Sequence, residues 1–262
     1  MDNLPKPRFT VAGCPVDAIS FTEVLATLGR RIEQRIPTHV VFVNAAKVVG
    51  FHDDPELSAA MRGADLLLAD GVPVVWASRL LGQTLPGRVA GIDLAEEMVA
   101  LAAQRGYRVF FLGARAEVLA KAVAGLGRRH PQLKVAGARD GYFQPADEAA
   151  LIEEINESMA DLLLLGMGTP QKELWAARNL AFLAVPVLLG VGGSFDVMAG
   201  VTRRAPTWMQ KTGLEWFYRL CQEPRRMWRR YLYSNPRFVW LVLQDAWRRA
   251  SGEKPADRKS VV

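Results

Sequence analysis

The chain has 262 residues and a mass of 29.0 kDa, a length that suits one large α/β unit or a domain of roughly 200 residues with an appendage. Half of the residues are hydrophobic and 23% are charged, which excludes a disordered chain, and the longest apolar runs, 181–191 and 238–243, fall short of the ~20 residues that span a bilayer. The net charge of +6 is unevenly placed: residues 203–249 hold 11 Lys and Arg against 3 Asp and Glu, with five of the seven Trp, so a mildly acidic body carries a basic, Trp-rich tail suited to an anionic membrane surface or to nucleic acid. Cys14 and Cys221 form no disulfide framework and read as reduced thiols. No basic stretch followed by an apolar run opens the chain, so no secretory signal is expected.

In chain order, Phe9–Val16 reads as a small hairpin turning at Gly13, and Ser20-x-x-Glu23 is a capping box opening a helix to about Gln34. Strands are expected at Val40–Val43, Asp65–Ala69, Arg108–Leu112, Lys134–Ala136, Asp161–Gly166 and Pro186–Val191. Their cores are apolar throughout rather than alternating, as in strands covered on both faces by helices. Between them, Asp53-Asp54 before Pro55 caps a helix, and Asp93–Arg105 ends at Gly106, a C-cap glycine. Thr169-Pro170 supplies an N-cap and a proline for the first turn of another helix. Beyond Gly200 no strand is convincing. Helices are expected over Pro206–Gln222 and Pro224–Trp247, the second broken at Asn235-Pro236. The fold class is α/β, a mostly parallel sheet with helices on both faces: residues 1–200 form the α/β domain and 201–262 a basic, Trp-rich helical appendage.

Several strands end in residues that a strand does not need: Asn44, Asp70-Gly71, GMGTPQKE (166–173) and GVGGSFD (190–196). In open parallel sheets ligands bind at the carboxyl ends of the strands, so these positions converge on one crevice. The alternative for Asp70 is a helix cap for residues 71–82. The glycine clusters suit phosphate groups, yet neither completes G-x-G-x-x-G, and there is no Tyr-x-x-x-Lys pair, which argues against a nucleotide-sugar epimerase or dehydrogenase. No P-loop and no G-x-S-x-G occur. His39, His52 and His130 are isolated, so no zinc site is expected, and the missing Asp-x-Asp argues against a metal-held sugar nucleotide. The basic tail leaves a nucleic-acid-binding module as the rival outside the enzymes. It is disfavoured by the acidic body.

The motifs VFVNAAKV (41–48), ADLLLADGVPVV (64–75), GRVAGIDL (87–94), GMGTPQKELW (166–175) and the long block 190–230 together resemble the TagA/WecG/CpsF family of bacterial glycosyltransferases over about Phe9–Arg230. The resemblance implies a Rossmann-like core and an inverting, metal-independent transfer of a sugar. The donor would be a UDP-sugar and the acceptor a saccharide on undecaprenyl diphosphate, at the cytoplasmic face of the membrane, in cell-surface polysaccharide or teichoic acid synthesis. No cofactor and no nucleic acid are implied. The sugar, of N-acetylmannosamine or glucose type, and association into a homo-oligomer stay open. By position, Asp70 matches the proposed catalytic base, with Asn44 and the pocket arginine Arg88 beside it. Gln171 is matched to the glutamine of G-x-P-x-Q-E. Gly168, Gly190, Gly192, Gly193 and Asp93 join it as substrate-binding residues, and Arg219, Arg226 and Arg229 resemble appendage arginines that close over the diphosphate. Phe42 stands where some relatives have Thr, so the donor sugar does not carry over from the teichoic acid enzymes. The tail is expected to dock peripherally on the membrane and to close the site.

Overall fold

The computed structural model describes residues 7–251; residues 1–6 and 252–262, the end of the expected appendage among them, lie outside the described residues, as does the side chain of Arg226. The hairpin is β1 (Arg8–Val11) and β2 (Cys14–Asp17), joined by a turn in which Ala12 and Gly13 both have positive φ, 49° and 75°, as a tight two-residue hairpin requires. Then follow α1 (Phe21–Glu33), β3 (Thr38–Val43), α2 (Ala45–Asp53), α3 (Pro55–Arg62), β4 (Leu66–Ala69), α4 (Val72–Leu80), α5 (Gly91–Arg105), β5 (Arg108–Gly113), α6 (Ala116–Arg129) and β6 (Lys134–Arg139). The chain continues through α7 (Glu148–Glu157), β7 (Leu162–Gly166), α8 (Gln171–Asn179), β8 (Val187–Leu189), α9 (Ser194–Met198), α10 (Thr207–Lys211), α11 (Glu215–Gln222) and α12 (Pro224–Ala250). The capping box at Ser20 and Glu23 forms as the sequence predicts, and the Asp54 carboxylate accepts the N–H groups of Glu56 and Leu57.

The six long-range strands pair in parallel in the order β4-β3-β8-β7-β5-β6. Alternate side chains divide between two faces. Val40, Phe42, Leu66, Leu68, Phe111, Leu164 and Leu189 pack beneath α1, α5, α6 and α9. On the other face, Val41, Val43 and Leu67 meet α2, α3, α4 and the hairpin, while Leu163, Leu165 and Leu188 meet α7 and α8. The chain therefore leaves β3 towards one face and the adjacent β8 towards the other. A crevice opens between strands whose connections part in this way.

Three expectations about the helices need correction. The segment 206–222 is two helices, because Gly213, at φ 73°, turns the chain between α10 and α11. Thr169 does not cap α8: the N-cap position falls on Pro170, and the Thr169 hydroxyl instead lies 2.5 Å from the Lys172 ammonium. The last helix runs unbroken through Pro236. An interior proline costs ~3 kcal/mol, whereas burying each large apolar side chain contributes roughly 1.5–3 kcal/mol. Phe238, Leu241 and Val242, all in the next two turns, are buried against the α2 and hairpin layer, so burial wins. Arg249 fastens the far end, donating to the Thr10 carbonyl at 2.9 Å and to Asp245 at 3.0 Å. Sequence beyond residue 200 thus supplies part of the core.

Gly166 ends β7 with the Phe195 ring laid directly over it; a methyl group there would overlap the ring. Gly166→Ala is expected to destabilise the fold by ~1–3 kcal/mol, whereas Gly127→Ala, within α6 and facing open space, should stabilise it by ~0.5–1 kcal/mol. Denaturant midpoints of the two variants check both signs.

Candidate active site

The carboxyl ends of β3, β4, β7 and β8 surround a crevice of about 270 Å³. Asn44, Asp70, Gly168, Gly190, Gly192 and Gly193 all line it. Asn44 follows β3, and its Oδ1 accepts the Lys47 N–H at 3.1 Å, so it caps α2 while facing the crevice. Asp70 follows β4, but the helix after it is not the one it caps. Gly71 is the N-cap of α4 without any side-chain bond, and the Asp70 Oδ1 accepts the Gly91 N–H at 3.1 Å, at the start of α5. Burial pushes its carboxyl above the usual aspartate range. Arg88 opposes that shift and Glu215 adds to it. Phe42 walls the crevice, with its ring against the Cα of Gly91, where a Cβ would stand 3.1 Å from it.

Below the glycine turns lies a charge cluster that the motif reading passed over. Glu173, 1% exposed, has its Oε1 2.6 Å from the Lys47 Nζ and 2.9 Å from the Lys172 Nζ. Burial alone would raise the Glu173 carboxyl; the two lysines outweigh it and hold it at about 2. Burial, reinforced by Lys47, pulls the Lys172 ammonium down to about 7 against the attraction of Glu173. His39, buried on β3 near the same cluster, is lowered by burial to about 4. Lys47 and Lys172 both line the crevice, and Gln171, exposed at the first position of α8, does not.

The helices beyond Gly200 roof the crevice. Glu215, Trp216 and Arg219 reach it from α11, and Arg230, Tyr231 and Ser234 from α12. Arg88 donates to the Glu215 carboxylate at 2.6 Å and to the Gln210 carbonyl at 3.4 Å, tying the core to this roof. Of the arginines expected to close the site, Arg219 faces the crevice. Arg229 is exposed and stacks on the Trp228 ring, 5.4 Å from its centroid, outside the lining. Arg226 lies in the first turn of α12, with its side chain outside the described residues. Arg230, one position beyond Arg229, is exposed as well, but it lines the crevice. Asp93 also stands outside the lining: Arg204 grips both of its carboxylate oxygens, Nη2 lying 2.7 Å from Oδ2.

A crevice at the switch point, with a raised carboxyl on one side and a lysine–glycine floor on the other, suits transfer of a group activated by phosphate. The sequence profile of the glycosyl transferase WecG/TagA/CpsF family matches residues 9–252. The chain belongs to this family. It is therefore a glycosyltransferase. It is 37% identical over 204 residues to an N-acetylglucosaminyldiphosphoundecaprenol N-acetyl-beta-D-mannosaminyltransferase of Bacillus spizizenii, covering 77% of this chain and 78% of that protein. A protein of the same description from Bacillus subtilis is 33% identical over 214 residues, 82% of each chain.

Set against this glycosyltransferase geometry, the motif G-x-P-x-Q-E needs a shift of register. Counted from Pro170, its glutamine falls on residue 172, which is Lys here; Gln171 occupies the variable position. The exposure of Gln171 and the inward side chain of Lys172 agree with that count. The signal for the buried cluster was present in the sequence, as a lysine in the apolar run AAKVVGF and a Lys-Glu pair ahead of Leu174-Trp175. Nothing local, however, places residues 47 and 173 side by side.

Removing the carboxylate in Glu173→Gln leaves two buried ammonium groups facing each other and is expected to cost ~3–5 kcal/mol. Because the folded carboxyl sits at about 2, below the ordinary 4.5, its stabilisation is complete above about pH 4.5 and is lost as the pH falls towards 2. The depressed His39 adds a loss in the same direction, between about 6.5 and 4. Unfolding curves from pH 4.5 down to 3 should show wild-type stability falling and the Glu173→Gln variant falling less steeply.

Proposed function

We propose that this glycosyltransferase moves a sugar from a UDP-sugar to a saccharide carried on undecaprenyl diphosphate, with inversion and without a metal ion. The names of the two Bacillus relatives support an N-acetylmannosaminyl group and an N-acetylglucosaminyl-diphosphoundecaprenol acceptor. Phe42 in the crevice wall keeps a glucose-type donor open as well. The observation that carries the reading is the position of Asp70: a carboxylate made more basic by burial, on the rim of the switch-point crevice, opposite the glycine turns.

In this reaction the acceptor hydroxyl attacks C1 of the donor sugar opposite the diphosphate. The new C1–O bond forms as the bond from C1 to the phosphate oxygen breaks. Asp70 takes the hydroxyl proton, and UDP leaves with the bonding pair. Arg88 stands close enough to lower the Asp70 pKa and holds the roof through Glu215, so closure and the ionisation of the base share one arginine. The glycine turns, Asn44 and Arg219 supply donors for the leaving diphosphate. Among the described residues no group of three His, Cys, Asp or Glu gathers into a metal-holding cluster.

Among the described residues no helix is long and apolar enough to cross a membrane. Peripheral attachment at the cytoplasmic leaflet is supported by α12, whose outward face carries Trp228, Trp240 and Trp247, 48%, 51% and 67% exposed. Arg229 and Arg237 lie over the rings of Trp228 and Trp240. Interleaved Trp and Arg on an exposed helix face suit an anionic headgroup layer.

Asp70→Asn should lower kcat by ~10²-fold or more with UDP affinity nearly unchanged, because a base acts in the transition state. A raised carboxyl stabilises the fold only at low pH and loses that contribution as the pH rises through its folded pKa. The Asn variant should therefore melt at or above the wild-type temperature at pH 7. A folded variant with wild-type kcat would remove Asp70 from the mechanism. For attachment, the triple change of Trp228, Trp240 and Trp247 to Ser is expected to reduce co-sedimentation with anionic liposomes several-fold. Transfer to a water-soluble, short-chain acceptor should persist; equal sedimentation of both proteins would contradict docking through α12.

A further inference from the structure

We propose that the Lys172 ammonium is the floor contact for the donor's diphosphate, which it clamps against Arg230 of α12. This rests on the transferase reading above and names a residue which that reading does not require.

The cluster beneath the glycine turns is unbalanced, since two lysines share the one carboxylate of Glu173. Lys47 and Lys172 are 3% and 5% exposed, and a surplus cation at that depth is unfavourable until an anion joins it. Lys172 is the lysine placed to meet one. An ammonium has three donors; Thr169 and Glu173 take two, at 2.5 and 2.9 Å. Its Cε runs under Gly190 and its Nζ under Gly192, 3.5 and 3.8 Å from where their Cβ atoms would stand. Side chains at those positions would screen the ammonium, and the bare turns leave it open to the crevice. From the roof, Arg219 and Arg230 line the same space, and among the described residues neither has an ion-pair partner. Arg230 is near enough to depress Lys172. Two cations that repel each other across an open crevice fit an anion between them, and a diphosphate presents oxygens on both sides.

The groups facing Lys172 are Lys47 on α2, His39 on β3, Glu173 on its own helix and Arg230 on α12; Asp196 of α9 lines the same crevice. With the free ammonium at about 7, an arriving anion raises it and draws in a proton. UDP affinity should therefore weaken as the pH rises from about 7 to 8.5, where UDP's own phosphate is almost fully ionised.

The test is calorimetric titration of the full-length protein with UDP, UMP and uridine, in two buffers of different ionisation enthalpy, across that pH range. Wild type should bind UDP with proton uptake. Lys172→Gln should bind UDP about 10- to 100-fold more weakly at pH 7, without proton uptake or pH dependence and with uridine affinity unchanged. Lys172→Arg should restore most of the affinity and none of the pH dependence. The glutamine variant is expected to fold, because Lys47 and Glu173 remain as a balanced pair. Equal UDP binding and equal proton uptake in wild type and Lys172→Gln would overturn the inference. So would a matching loss for uridine, which would mark a merely structural lysine. Wild type failing to bind UDP at all would instead sink the transferase reading.

Discussion

A carboxylate held between two lysines underlies the organisation of this protein. Glu173 belongs to the helix after β7 and Lys47 to the helix after β3, strands separated in the sheet by β8. Their contact at 2.6 Å locks the two helix starts together directly under the β8 glycine turn. Such a cluster is costly to bury and contributes little net stability. Its effect is positional: the strand ends that bear Asn44, the GMGT loop and the GVGG turn are held at one fixed spacing. It also leaves two lysines sharing one carboxylate beneath the crevice.

The far wall follows a different logic. Asp70 caps α5 through the Gly91 N–H rather than the helix that follows it, so the strand end and a distant helix are fixed by one hydrogen bond and the second oxygen is left towards the crevice. Arg88 lies between this carboxylate and Glu215 of the roof. An arginine that acts on a buried carboxylate and also binds a roof carboxylate couples the two: seating of the roof and ionisation of Asp70 influence each other through the same guanidinium. Structure and chemistry are joined here by electrostatics rather than by shape.

The long C-terminal helix serves two surfaces with one sequence. Residues 230, 231, 234, 238, 241, 242, 245 and 249 follow the helical repeat along the inner face, passing from crevice to core to a clasp on the hairpin. Residues 228, 232, 240, 243 and 247 follow the same repeat on the outside and are exposed. The inner stripe compensates for Pro236, and the outer stripe leaves Trp228, Trp240 and Trp247 exposed. Roofing of the crevice and presentation of the apolar outer face are therefore mechanically linked.

The sequence by itself determined the parallel α/β architecture, because doubly covered strands must be apolar throughout and the runs at 40–43, 108–112 and 161–166 are. It also determined the switch-point residues Asn44, Asp70 and the two glycine turns, since polar and glycine residues directly after buried strands have few other uses. Local chemistry read Ser20, Asp54 and Gly106 correctly for the same reason: a cap depends on neighbours three or four positions away. What needed the tertiary structure was every choice made by contacts distant in sequence. Pro236 lies within a helix because Phe238, Leu241 and Val242 find a core more than 150 residues earlier in the chain. Asp93 is engaged by Arg204, and Asp70 caps α5 in place of α4. Arg230 lines the crevice where Arg229 was expected to, a difference of one residue and about 100° of helix rotation. Lys47, Lys172 and Glu173 read as ordinary charges on amphipathic helices until the sheet order brings β3 and β7 to either side of β8. Short-range geometry is written in the spacing of residues, whereas the pairing of buried charges depends on which strands become neighbours, and that is decided only when the whole sheet closes its core.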